Sequence, residues 1–193
     1  PKYLNLDDAK KIQKVFNEHN SRNPIRNNAI ITLFLSSAIR LSELANINIK
    51  DINFNEKIIK IIGKGHKERF LYLTDSAINS IKEYLSYRSI VDVDILFLNN
   101  KNKPLSIYGI ERICNKAFKL AGLEEYGYTT HSLRHTAATY IYRETKDILV
   151  VKEILGHTSI ISTELYTHLK NDELKKAVEK NPLNNYKVGG GSN

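Results

Sequence analysis

Apolar residues at Ala9, Ile12, Val15 and Phe16 fall on one face of a 3.6-residue repeat and predict a helix over about 6–19. Asn23-Pro24 reads as an N-cap followed by a proline in the first turn, opening a second helix. Its residues Ile30, Ile31, Leu33, Phe34 and Leu35 leave almost no polar face, which predicts a buried, central helix. Ser42 is positioned to cap a short helix through Glu43, Leu44 and Ala45, leaving Arg40 at the junction of two helices. Between Asp51 and Leu73 the pattern changes to Ile-Asn-Phe, Lys-Ile-Ile-Lys-Ile-Ile and Arg-Phe-Leu-Tyr-Leu, separated by turn residues, and predicts short antiparallel strands. The segment Gly63-Lys64-Gly65-His66-Lys67 reads as a hairpin loop with Lys64 at its tip, both glycines being free to take positive φ. Helical spacing returns near 75–88, 106–121, 131–144, 148–155, 159–166 and 171–180. The fold class expected is mainly α with a small antiparallel β-sheet, an α+β arrangement.

Composition narrows what such a fold is for. A chain of 193 residues, 41% hydrophobic and 26% charged, suits one well-buried core. No apolar run approaches the roughly 18 residues that span a bilayer, and the start lacks a signal-peptide layout, so a cytoplasmic location is expected. Cys114 is the sole cysteine, which excludes an intrachain disulfide. A formal charge of +8 favours a polyanionic partner, because neutralising phosphates releases counterions. Basicity alone does not distinguish nucleic-acid binding from a soluble surface. Residues 181–193, ending Gly-Gly-Gly-Ser-Asn, are expected to form a flexible tail.

Three segments carry candidate chemistry. In Ala38-Ile39-Arg40-Leu41-Ser42-Glu43-Leu44 the carboxylate three residues after the arginine can orient its guanidinium, although a structural ion pair explains this segment taken alone. In Thr130-His131-Ser132-Leu133-Arg134-His135 the spacing places His131 and Arg134 on one helix face, able to address one phosphate. His131 and His135 also have the i, i+4 spacing of a zinc helix, but Ser132 stands where a zincin has glutamate, and no metal site is expected. The third segment is Leu155-Gly156-His157-Thr158, followed by Tyr166, which is one of eleven tyrosines.

Taken in order, the Ala-x-Arg-x-x-Glu-Leu box at Arg40, the Gly-Lys-Gly-His-Lys-Glu-Arg hairpin at Lys64, the His-x-Leu-Arg-His box at His131, the Leu-Gly-His box at His157 and Tyr166 resemble the tyrosine recombinase (phage integrase) family, most closely its Xer-type branch. The likeness runs from about residue 5 to 180. It implies the catalytic-domain fold of that family over residues 1–180, and metal-free, cofactor-free cleavage and rejoining of double-stranded DNA. Tyr166 would attack the scissile phosphate, giving a 3′-phosphotyrosyl link and a free 5′-hydroxyl. Arg40 and Arg134 would hold the non-bridging oxygens, with a further hydrogen bond from His157. Lys64 would protonate the leaving 5′-oxygen and His131 would take the tyrosine's proton, while Glu43 supports local structure. Lys67 is a possible stand-in for Lys64 and otherwise a contact to DNA, as is Arg69. Arg112, Lys116 and Lys119 would face DNA or simply form a solvated basic face.

The resemblance carries further expectations. The chain begins where an interdomain linker would end, so the family's N-terminal DNA-clamping domain is expected to be missing from it. The terminal helix with Leu174, Ala177 and Val178 is expected to dock on a neighbouring protomer in a tetramer on DNA, the alternative being a helix folded back on its own core. Site-specific recombination is the expected function, whether integrating or excising a mobile element or resolving chromosome dimers. A type IB topoisomerase-like relaxing activity and a non-catalytic DNA-binding module are the competing readings.

Overall fold

In the computed structural model, which describes residues 2–156 and 174–185 apart from the side chains of Lys64 and Asn185, the described residues form eight helices of five or more residues and one three-stranded sheet. Helix α1, Leu6–Glu18, begins where the Asn5 side chain accepts a hydrogen bond from the Asp8 amide at 2.8 Å, and Asp7 and Asp8 favour the positive end of its dipole. Its periodic residues Ala9, Ile12, Val15 and Phe16 are all buried. Helix α2, Pro24–Ser37, is buried from Arg26 to Ser37 and packs against α1, the later helices α4 (Asp75–Tyr87), α5 (Ile107–Leu120) and α6 (Thr130–Thr145), as its apolar circumference predicts.

Two expected caps are corrected. Asn23 takes left-handed backbone angles and makes no side-chain cap; its amide bonds to Asn100 instead. Ser42 lies inside α3, Leu41–Ala45, whose N-cap is Arg40: the Glu43 carboxylate reaches back to accept from the Arg40 amide at 3.0 Å. That arrangement puts a carboxylate, not a hydroxyl, at the junction.

The sheet has the order β1 (Ile52–Asn53), β2 (Ile58–Ile62), β3 (Glu68–Tyr72), antiparallel throughout, with Ile59 opposite Leu71 and Ile61 opposite Arg69. Opposed residues share a face, so Arg69 points to the side on which Ile59, Ile61 and Leu71 are buried. The hairpin closes with the Gly63 amide donating to the Lys67 carbonyl at 2.7 Å, and residues 64–66 form its short turn. Only one of its glycines uses positive φ: Gly65 has φ 74°, His66 has φ 59°, and Gly63 is extended.

Residues 89–105, for which the hydrophobic pattern predicts no element, are held by other means. Arg88 donates to the carbonyls of Ser89, Val93, Ile95 and Leu96, and Phe97 stacks on Tyr84 with centroids 5.3 Å apart. The last helix before the site, α7 (Ile148–Leu155), starts at Asp147, whose carboxylate accepts from the amides of Leu149 and Val150.

Residues 174–179 are helical, and Leu174, Ala177 and Val178 are buried against Ala38, Ala137, Ala138, Ile141, Val151 and Ile154 of the same chain. In this structure the apolar face expected to dock on a neighbour is thus covered by its own core. Residues 181–185, expected as the start of a flexible tail, are packed against the rest of the chain, and residues 186–193 lie outside the described residues. Asn181 is fully buried and donates to the Leu35 carbonyl at 2.8 Å, and the Leu183 carbonyl accepts from Gln13 at 2.8 Å.

Candidate active site

Four separate elements deliver charged groups to one place. At the junction of α2 and α3, Ala38 adopts left-handed angles with φ 56°, and Arg40 follows in extended backbone. Glu43, one turn on, is 4% exposed and receives the Arg40 guanidinium at 3.1 Å. From β3, Arg69 approaches the same carboxylate with two donors, Nη2 to Oε2 at 2.7 Å and Nε to Oε1 at 3.0 Å. From α6, Arg134 donates Nη1 to the Ala38 carbonyl and Nη2 to the Leu155 carbonyl at 2.9 Å.

The fourth element is the carboxyl end of α7. A helix end leaves carbonyls without intrahelical partners and carries partial negative charge. Here Ile154 gives its carbonyl to Arg69 Nη1 at 2.9 Å and Leu155 gives its own to Arg134. Gly156 ends the helix with φ 71°, and a Cβ there would lie 2.7 Å from Arg69 Cδ. Only glycine fits both the backbone angle and the approach of the arginine stem.

The electrostatics follow from three guanidiniums gathered around one carboxylate. Burial pushes the Glu43 carboxyl up, but hydrogen bonds and charge from Arg69, then Arg40, outweigh it and hold the group below its ordinary value. Burial, reinforced by the neighbouring charges of Arg40 and Arg69, lowers Arg134 to about 10, so it remains a cation at neutral pH. Two positive charges are therefore left uncompensated by Glu43. Among the described residues, Arg40 keeps Nε and Nη2 unbonded and its side chain is 32% exposed, so its free donors face outward. Arg134 likewise keeps Nε.

Of the expected catalytic residues, Arg40 and Arg134 are brought together with Glu43. His131 sits exposed in the first turn of α6, one turn before Arg134 on the same face, and makes no hydrogen bond to the cluster among the described residues. The backbone of Lys64 lies in the hairpin turn; its side chain, and all of His157 and Tyr166, lie outside the described residues. Lys67, Arg112, Lys116 and Lys119 are exposed, the last three on one face of α5. His135, the other half of the zinc-like spacing, packs edge-on against Tyr3 with centroids 5.7 Å apart.

Arg69 departs from expectation. Expected as a contact to DNA, it turns inward and commits Nε and both Nη atoms to Glu43 and Ile154. The signal for this was present in the alternation of β3, where Arg69 falls in step with the buried Leu71 and Leu73.

The phage integrase family pattern matches residues 2–173. The chain belongs to the phage integrase family. A tyrosine recombinase XerC of Caldanaerobacter subterraneus subsp. tengcongensis is 41% identical over 187 residues, covering 95% of this chain and 52% of that protein. Among solved structures, XerA recombinase superposes with a TM-score of 0.74 at 31% identity, over 91% of this chain and 63% of that one. XerH site-specific recombinase bound to difH substrate in a pre-cleavage complex superposes with a TM-score of 0.73 at 26% identity, over 88% of this chain and 53% of that one. This phage integrase family chain thus spans about half the length of the XerC protein it matches, and its mainly helical fold with a small antiparallel sheet is the one these recombinases share over that length.

Proposed function

We propose that this chain is the catalytic domain of a site-specific tyrosine recombinase that cleaves and rejoins double-stranded DNA through Tyr166. The observation that carries the reading is the half-buried cluster of Arg40, Arg69 and Arg134 around Glu43. It has two positive charges in excess and outward donors on Arg40, as a phosphodiester passing through a more highly charged transition state requires. The donors are set before substrate arrives, because Glu43 and the carbonyls of Ala38 and Leu155 already hold the guanidiniums.

The Tyr166 phenol oxygen forms the new bond to phosphorus as the bond from phosphorus to the 5′-oxygen breaks. Arg40, Arg134 and His157 bind the non-bridging oxygens. The departing 5′-oxygen takes a proton from Lys64, and His131 takes the phenol proton. The phosphotyrosyl bond conserves the phosphodiester energy, so a 5′-hydroxyl from a second strand reverses the step without a nucleotide cofactor or a metal. Strand exchange requires several protomers, so the active assembly is a tetramer on DNA in the cytoplasm. Its 174–179 helix either leaves its own core to reach a neighbour or stays where it is. Among the described residues no helix is long and apolar enough to cross a membrane.

Incubation with a nicked suicide substrate followed by a denaturing gel tests this. The wild-type protein is expected to form a covalent adduct, unaffected by EDTA, and Tyr166→Phe to form none. An adduct that survives Tyr166→Phe contradicts the mechanism. No adduct at all despite DNA binding favours a non-catalytic module, and relaxation of a supercoiled plasmid lacking any recombination site favours a topoisomerase.

A further inference from the structure

Arg69 joins three parts of the site that no other described side chain joins. It lies on β3, two residues beyond the end of the hairpin that carries Lys64. Its Nε and Nη2 grip both oxygens of Glu43, the carboxylate that orients Arg40 and caps α3. Its Nη1 holds the Ile154 carbonyl at the end of α7, and its stem lies under Gly156 so closely that a Cβ would meet Cδ at 2.7 Å and Nε at 2.9 Å. His157 follows Gly156 directly in the chain. Of the Arg69 side chain only 15% is exposed, and each of its three nitrogens already donates to the protein.

Resting on the recombinase reading above, we infer that Arg69 is a positioning residue for DNA cleavage, locking the Arg40–Glu43 pair to the end of α7 and to the base of the Lys64 hairpin. It contributes no phosphate contact of its own. Without it, Glu43 is left to Arg40 alone, and that guanidinium rotates toward the carboxylate and away from substrate. The Ile154 carbonyl loses its partner, and the α7 end loosens just before His157. The effect falls on the rate at which bound DNA is cleaved, since misplacement by about 1 Å costs on the order of 10²-fold while ground-state contacts persist. A phosphate ligand behaves differently: its loss weakens DNA binding and flattens the salt dependence of affinity.

The test compares wild type, Arg69→Gln and Arg69→Lys by single-turnover cleavage of a saturating suicide substrate, by DNA affinity at several salt concentrations, and by amide hydrogen exchange of residues 152–156. Arg69→Gln is expected to cleave about 10–100-fold more slowly, with affinity within about threefold and the salt slope unchanged, and with faster exchange at the α7 end. Arg69→Lys, which keeps the charge and one donor, recovers part of the rate and guards against a variant that simply fails to fold. Unchanged exchange overturns the inference, as does a loss of affinity and salt slope with normal cleavage of the saturated complex. If wild type forms no adduct, the recombinase reading falls, and the lock then stands or falls on the exchange data alone.

Discussion

Arg69 of the arginine cluster lies two residues beyond the hairpin, yet the cluster and the hairpin tip are built in opposite ways. Around Glu43 every guanidinium is tied to the protein: Arg40 by an ion pair, Arg69 by a bidentate pair and a carbonyl, Arg134 by two carbonyls. Across residues 63–67 the backbone is closed by the bond between Gly63 and Lys67, and Gly65, His66 and Lys67 are all exposed. Segments with few buried contacts open at low free-energy cost, whereas groups fixed by buried hydrogen bonds do not. The contrast matches the two jobs proposed for them. Stabilising charge on a transition state works best from donors that need no reorganisation. Delivering a proton to a leaving oxygen needs a group able to follow it.

Breaking the cluster should do the most damage. Arg134→Ala removes a proposed phosphate ligand and takes the Arg134 donors away from the Ala38 and Leu155 carbonyls, and cleavage measured by adduct formation is expected to fall about 10³-fold. Lys64→Ala is expected to slow cleavage about 10²-fold without changing the melting temperature. A substrate with a 5′-sulfur leaving group, which departs without a proton, should restore the Lys64→Ala rate but not that of Arg134→Ala. Gly156→Ala forces a side chain into Arg69 at a left-handed position, and is expected to cost about 1–3 kcal/mol in denaturant unfolding. Gly65→Ala meets nothing within 4 Å; only its φ of 74° is strained, so a loss of about 1 kcal/mol or less and near-normal cleavage are expected.

The same comparison has a pH signature. Glu43 is held below its ordinary value of 4.5 in the folded protein, so the unfolded chain binds its proton more readily. Its contribution to stability is therefore complete above about pH 4.5 and drains away as the pH falls through the lowered native value. Glu43→Gln should flatten that acid limb of the stability curve, whereas substitutions in the exposed hairpin tip should leave it as it is.

Much of this was legible in the chain itself, and what was not has physical causes. Strong periodicity located α1, α4, α5, α6 and α7 to within a residue or two, Pro24 marked the start of α2, and the alternation of residues 58–62 and 68–72 located the sheet. The convergence of Arg40, Glu43 and Arg134 was readable only as a set of boxes, since none of these residues is distinctive alone. Caps misled for two reasons: Ser42 falls inside α3, where the nearby Glu43 caps the Arg40 amide instead, and Asn23 turns to the distant Asn100. Residues 89–105 carry no period because backbone pairing and the fan of bonds from Arg88 hold them. Asn181 is polar and near the end of the chain, yet buried, because its amide satisfies a carbonyl of α2. Arg69 misled through its charge. Its place in the strand alternation outweighed the habit of assigning exposed roles to arginines.

The central claim is that the prepared arginine cluster serves one nucleophile. Trapping the covalent protein–DNA adduct, digesting both partners and sequencing the nucleotide-bearing peptide by mass spectrometry tests it most directly. A single modified peptide carrying the nucleotide on Tyr166 is the predicted result, and attachment at any of the other tyrosines or at a serine contradicts the account.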